Sequence, residues 1–341
     1  MFKRRARPAA SIRALMTTRR RTRRPIHVVV ACSQTKRQAA PLALHLSQVR
    51  GRSVSERASR WLERLQNARA SADARELYGG PYWAGVRRVE DKLEAAKRSG
   101  RVWVSSAGYG LISAGTPVSA YNATFARGSD DSVLAGIGAN DTTDALQEWW
   151  AVIAGWAGPH SAAAPRTLTD LLLGDLNSAV LVVAGPNYVR AMADDLSNAI
   201  AAAGVDRVAV ISPGLSHKST WLGSVRSCLL RAGAEWEHRV GAGKTTLGIR
   251  VAEQLLQHAQ FSADNLATAR NQLERLGRRL PDPVTHDRTT VTDDAVNRFI
   301  KQRLRQDPAA SFTQLLRAFR DKGFACEYKR FRSLFHLLRP A

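Results

Sequence analysis

At 341 residues the chain has room for one large domain and a small one, and 44% hydrophobic residues suffice for a packed core. Lys and Arg number 51 against 29 Asp and Glu, a formal charge of +22. Such an excess favours a polyanionic partner, nucleic acid first and a membrane surface second, because each neutralised phosphate releases counterions. No apolar run approaches the roughly eighteen residues of a membrane span. The three cysteines, Cys32, Cys228 and Cys326, are far apart and form no CxxC, so neither a disulfide framework nor a zinc site is suggested and a reducing cytoplasm fits best.

Residues 1–25 hold ten basic side chains and no acidic one. That composition suits a transit peptide, a DNA-contacting arm or a start codon assigned upstream of Met16; the expectation is a disordered basic arm. "IHVVVA" (26–31), "RVWVSSA" (101–107), "AVLVVAG" (179–185) and "RVAVIS" (207–212) read as short strands buried on both faces. Helical patterns fall between and after them, at 53–70, 81–100, 142–156, 188–204, 245–259 and 262–280. The alternation predicts an α/β domain over 26–280, a mostly parallel sheet with helices on both faces.

Two prolines among polar residues mark a linker over 281–291. Three short helices follow in 292–341, the second and third joined at Gly323. The last is amphipathic and basic, with Lys329, Arg330 and Arg332 largely off its apolar face. This is the outline of a helix-turn-helix that contacts DNA, or else of a helical cap on the main domain.

In a parallel sheet, residues just past the carboxyl ends of the strands share one edge, where ligands bind. The four exits read "CSQTK", "SAGYG", "GPNY" and "SPG", all small or hydroxyl-bearing. Gly108, Gly110, Gly185 and Gly214 allow close backbone approach, and Ser33, Ser106, Tyr109, Tyr188 and Ser212 offer hydrogen bonds. Together they predict a pocket for a flat polar ligand such as a nucleobase. Lys36 is placed to meet a phosphate or a developing anion, while Cys32 reads as a nucleophile or as a small buried residue. Tyr78 stacks on a base or staples the helix that follows its double glycine. In "VSAYNATF", Tyr121 is available for stacking and Asn122 and Thr124 for reading a base edge; the alternative is an ordered loop satisfying its own backbone.

"GAGKTT" (241–246) is half a phosphate-binding P-loop, with His238 where the first glycine belongs and no buried strand before it. It more simply opens a helix. There is no HExxH, no His pair at metal spacing and no GxSxG elbow, so no metal or nucleotide cofactor is implied.

The succession "CSQTK", "ELYGG", "SAGYGLI" and "YNATF", followed by "SFTQLLRAFRDKGFACEYKRF", resembles the bacterial α-glutamyl/putrescinyl thymine pyrophosphorylase clade two, and within it the anti-phage DNA glycosylases that excise glucosylated hydroxymethylcytosine. The resemblance touches most of 26–215 and 292–337. It implies N-glycosidic chemistry on a modified base in double-stranded phage DNA, no obligate protein partner, and Cys32, Lys36, Tyr78, Ser106, Gly108, Tyr109, Gly110, Tyr121 and Thr124 as the matching positions. A base in a duplex must be flipped out before its glycosidic bond is reachable. Cleavage then builds positive charge on the sugar and negative charge on the departing base. Lys36 and the Ser106–Gly110 loop are expected to serve the base. Asp131, beside Asp130 in "GSDDS", is expected to supply the carboxylate, against the simpler reading of both as surface acids. The rivals are base exchange or pyrophosphorolysis at a modified pyrimidine, and a non-catalytic DNA-binding nucleotide sensor.

Overall fold

The structure is a computed structural model that describes residues 24–95, 100–159, 164–257, 266–280 and 287–338. The expected basic arm lies almost wholly outside these residues, as does the first half of the expected linker. The chain divides into two compact units, 1–281 and 282–341.

The first unit is built on β1 (Ile26–Ala31), buried at every position. After β1, α1 (Val54–Gln66) starts at Ser53, whose hydroxyl accepts the Glu56 amide, and buries Ala58, Trp61, Leu62 and Leu65 along one stripe. The short pair β2 (Ala72–Asp73) and α2 (Ala74–Leu77) leads into α3 (Gly80–Ala95). Next, β3 (Val102–Ser106) folds back through residues 107–109 as the antiparallel β4 (Gly110–Ser113), and β5 (Pro117–Val118) pairs with β2. Two helices, α4 (Thr142–Gly155) and α5 (Leu168–Gly174), carry the chain to β6 (Ala179–Val183). From β6, α6 (Pro186–Ala191) and α7 (Ala193–Ala203) lead to β7 (Val208–Ile211), and β8 (Leu229–Leu230) closes the sheet. Helices α8 (Trp236–Val240), α9 (Leu247–Gln257) and α10 (Leu266–Gly277) complete the unit.

The strands run in the order β4-β3-β1-β6-β7-β8, every neighbouring pair parallel except β3 with β4. Numbered by appearance, the five parallel strands lie 2-1-3-4-5, a doubly wound order whose winding reverses between β1 and β6. Right-handed crossovers leading outward from those two strands place α3 and α7 on opposite faces. The α/β class read from the alternation is therefore the observed one, and the sheet is flanked by helices as expected.

Several elements differ from the sequence reading. "SAGYG" is the turn of the β3–β4 hairpin, not a loop running from strand to helix. The pattern over 188–204 breaks at Met192 into α6 and α7, and neither α5 nor β8 had been anticipated. Where half a P-loop would need a strand, residues 236–240 form a helix that ends at Gly241 in the left-handed region, φ 59°.

In the second unit, α11 (Asp293–Gln306), α12 (Phe312–Asp321) and α13 (Tyr328–Leu338) pack around Val296, Phe299, Ile300, Leu315, Leu316, Phe319, Phe331 and Phe335. The expected glycine turn is present, Gly323 at φ +83°. Residues 322–327 nevertheless separate α12 from α13 and include β10 (Phe324–Ala325), which pairs in parallel with β9 (Thr289–Thr290). The connection is thus strand-bearing and longer than a tight helix-turn-helix joint.

Candidate functional site

The glycine-rich hairpin turn is held from within. Ser106 Oγ accepts the amides of Gly108 and Tyr109 at 3.2 and 2.9 Å, and lies 2.6 Å from the Tyr121 hydroxyl, itself 2.9 Å from that of Tyr78. Trp149 Nε1 donates to the Ala107 carbonyl at 2.8 Å and Trp61 Nε1 to that of Gly108 at 2.9 Å. The Arg166 guanidinium donates to Tyr109, Leu111, Ile153 and Trp156 carbonyls at 2.6 to 3.0 Å. Buried carbonyls without a ladder partner must find donors, and these three side chains supply them. Burial pulls the Arg166 guanidinium down to about 10.

This corrects the sequence reading of the loop. Ser106, Tyr78 and Tyr121 have no exposed surface, and Tyr109 only 2%, with its hydroxyl accepting the Ser119 amide at 3.0 Å and burial pushing it up to about 12. Gly108 serves packing, since a Cβ there would lie 2.5 Å from the Tyr121 ring. Gly110 serves the turn, at φ +72°. Ser106 and Tyr109 therefore cannot touch a ligand without rearrangement; they fix the position of Tyr121.

The groups that reach the surface sit on the β1 exit. Ser33 Oγ accepts the Thr35 amide at 3.1 Å, and residues 35–37 are fastened to the Leu77–Gly79 strand edge through Arg37 N to Leu77 O and Gly79 N to Thr35 O, both 2.9 Å. The isolated antiparallel bridge between Lys36 and Tyr78, just past the end of α2, accompanies a folded-back Lys36, whose Nζ donates to the Ser33 carbonyl at 3.1 Å and lies 4.4 Å from the centre of the Tyr121 ring and 5.9 Å from that of Tyr78. Burial holds the Lys36 ammonium below its usual range, while Cys32 and Asp131 act in the opposite sense. Asp131 accepts the Ser47 amide at 2.9 Å and lies 3.5 Å from His45 Nδ1, and the Asn122 amide reaches the same ring at 3.2 Å. Thr124 Oγ1 is occupied by the Ala126 amide. Asp131 is thus partly engaged in its loop and partly open, with 19% of its side chain exposed.

Across the winding reversal, Cys32 Sγ lies 3.1 Å from the Tyr188 hydroxyl at the start of α6. The floor between the two strands is closed by Tyr82, whose hydroxyl accepts the Ala31 amide at 3.2 Å and donates to the Val183 carbonyl at 2.7 Å. Burial raises the Tyr78, Tyr82, Tyr121 and Tyr188 hydroxyls well above their ordinary range, so all four stay protonated at neutral pH. Gly185, exposed at the β6 exit, has nothing within 4 Å of where a Cβ would stand. Helix α9 begins against these exits, with Gly248 packed on Pro213 and Val183.

The structure therefore links Ser33, Lys36, Tyr78, Ser106 and Tyr121 through contacts at the β1 exit, joins Asn122 and Asp131 through His45, and sets Cys32 against Tyr188 across the winding reversal, with Tyr78, Ser106 and Tyr121 fully buried beneath. It sets Ser212 apart, in a cleft at the β7 and β8 exits. Sequence reasoning missed His45, Tyr82, Trp61, Trp149 and Arg166. Among the described residues no group of three or more His, Cys, Asp or Glu is arranged for a metal ion, and no helix is long and apolar enough to cross a membrane.

In the second unit Arg330 is not free for DNA: it donates to Asp293 at 2.6 Å and to the Val291 carbonyl at 2.9 Å. Arg332 lies over the Phe312 ring at 5.6 Å. The Lys329 side chain lies outside the described set. Arg332 is exposed, and so are Arg298, Lys301 and Arg305 on α11, whose spacing places them on one face, opposite the buried Val296, Phe299 and Ile300. No family model, curated protein or solved structure matches this chain.

Proposed function

We propose that the chain is a DNA glycosylase that flips out a hypermodified cytosine, a glucosylated hydroxymethylcytosine in phage DNA, and hydrolyses its glycosidic bond in antiviral defence. What supports this reading is Lys36, a partly buried ammonium folded back at the β1 exit beside the winding reversal of the sheet, together with Asp131, a partly exposed carboxylate whose charge favours the ammonium form. In the reaction, water oxygen bonds to the sugar C1′ as the C1′–N bond breaks, the bonding pair leaves with the base, and a water proton follows it. Asp131 faces the positive charge that develops on the sugar and orients the water, and Lys36 stabilises the departing base. The Tyr78–Tyr121–Ser106 hydroxyl chain acts through Lys36, by fixing the ring on which the ammonium rests. The net charge of +22 favours association with a duplex.

The test is incubation of the purified protein, without added metal or nucleotide, with DNA carrying ordinary, hydroxymethylated or glucosylated cytosine, followed by mass spectrometry of released base and a count of abasic sites. Release from the glucosylated DNA alone is expected, lowered at least about 100-fold by Lys36→Met or Asp131→Asn. Release only with added pyrophosphate assigns the base-exchange reaction, and tight binding with no chemistry assigns a sensor; either result overturns hydrolysis.

A further inference from the structure

A cleft of about 280 Å³ opens at the carboxyl ends of β7 and β8, between residues 212–217 and 229–235, on the far side of β6 from Lys36. Its floor is Ser212, only 9% exposed, whose Oγ is buried without a hydrogen-bond partner. Native structures rarely leave a buried hydroxyl unsatisfied, and at the lining of a cleft a ligand oxygen is one partner that satisfies it. Gly214, at φ +81°, turns the loop that forms one wall. His217 stands on that wall, half-buried, and Arg231 is exposed on the other. The one carboxylate lining the cleft, Glu235, is turned onto its own loop and accepts the Gly233 amide at 3.0 Å.

The electrostatics agree with the inventory. Burial and the neighbouring Arg231 and Arg226 hold the His217 imidazole below its usual range, against the opposing pull of Glu274. A hydroxyl, a guanidinium and an imidazole lining one cleft at the carboxyl edge of parallel strands form a set suited to tetrahedral oxyanions, because a guanidinium matches two oxygens of one phosphate. The volume, about 280 Å³, falls just below the usual range of ligand sites, roughly 300–1,000 Å³, and suits a small anion.

We propose that this cleft binds a phosphate group through Ser212, Arg231 and His217. The inference stands independently of base excision. Its ligand is either a free phosphate or pyrophosphate, or a phosphodiester of bound DNA, and the experiment separates the two.

Thermal unfolding of the full chain is followed against inorganic phosphate and pyrophosphate, with chloride at matched ionic strength as the reference. A saturable rise in midpoint is expected, since a ligand that binds only the folded state stabilises it by mass action. Arg231→Gln is expected to weaken the apparent affinity at least about ten-fold. Ser212→Ala should abolish most of the phosphate response while leaving the ligand-free midpoint unchanged or higher, because it removes an unsatisfied buried hydroxyl. Lys36→Met should leave the response intact, which separates this cleft from the excision site. If phosphate also displaces a fluorescent duplex in parallel with the thermal response, the natural occupant is a DNA phosphodiester; if it does not, the occupant is a small phosphate. A midpoint that tracks ionic strength alone, or a response undiminished in both Arg231→Gln and Ser212→Ala, overturns the proposal.

Discussion

Gly108→Ala isolates the packing of the hairpin turn from the chemistry beside it. An added methyl lies 2.5 Å from Tyr121 Cε2, 2.7 Å from Cδ2 and 3.2 Å from Cζ. Favourable carbon contacts begin at about 3.5 Å, so the ring must retreat by about 1 Å. It has nowhere to go cheaply: Tyr121 is fully buried, its hydroxyl is bonded to Ser106 and Tyr78, and Lys36 rests on its face. Overpacking of a core costs about 1–3 kcal/mol. Stretching a hydroxyl bond adds about 1 kcal/mol. At about 2–4 °C per kcal/mol for a unit of this size, the melting midpoint should fall by about 4 to 16 °C. Gly185→Ala is the counterpart, since Gly185 has φ −69° and no atom within 4 Å of the new methyl. Its stability should stay within about 0.5 kcal/mol of the parent, while the methyl narrows the β6 exit and lowers base release. Scanning calorimetry and the base-release assay on both variants separate the two effects. A Gly108→Ala protein melting within about 1 °C of the parent would refute the account of the turn.

Tyr121→Phe removes a hydroxyl that joins two others in a buried chain; urea titration should show a loss of about 1–3 kcal/mol with an unchanged m-value. Asp195 accepts the amides of Leu168 and Thr169 and the Trp150 indole, yet its burial still raises it to about 6. The folded state therefore keeps a proton that an unfolded aspartic acid, near 3.9, has lost. Stability should fall as pH rises from about 4 to about 6, by up to about 3 kcal/mol, a component that Asp195→Asn removes from the pH profile. For DNA binding, converting Arg298, Lys301 and Arg305 together to Gln should weaken affinity and reduce the salt slope by about 3, measured by fluorescence anisotropy across salt concentrations. Arg330→Gln should leave that slope unchanged and cost the second unit less than about 1 kcal/mol, because its pair with Asp293 is half-exposed.

Four of the five parallel strands were legible because a strand buried on both faces must be a run of apolar, mostly β-branched residues, as in "IHVVVA" and "AVLVVAG". The two-residue β8 is too short to show a period, and β4 follows its partner so closely that the pair reads as one strand and a loop. The role of the hairpin turn was hidden for a different reason. Small residues and hydroxyls look the same whether they await a ligand or satisfy one another. What decides the matter is Trp149, Trp61 and Arg166, which lie 42, 47 and 57 residues from the carbonyls they cap, outside any local window. Charge spacing likewise marked Arg330 as a cation on a helix face, but its carboxylate partner is 37 residues earlier. Lys36 and Cys32 were found because a strand exit is a position that sequence alone can locate.

Helix α9 meets the sheet where it meets α3: a Cβ on Gly85 would stand 2.8 Å from Ile249, and one on Gly248 would stand 3.0 Å from Pro213 and 3.5 Å from Val183. Val183 is the residue whose carbonyl Tyr82 holds, and Pro213 follows Ser212. One helix end thus packs on the residues that leave both β6 and β7. With no slack at either glycine, α9 is held in one position against both α3 and the two strand exits, and a single added methyl at Gly85 or Gly248 would have to move the whole helix.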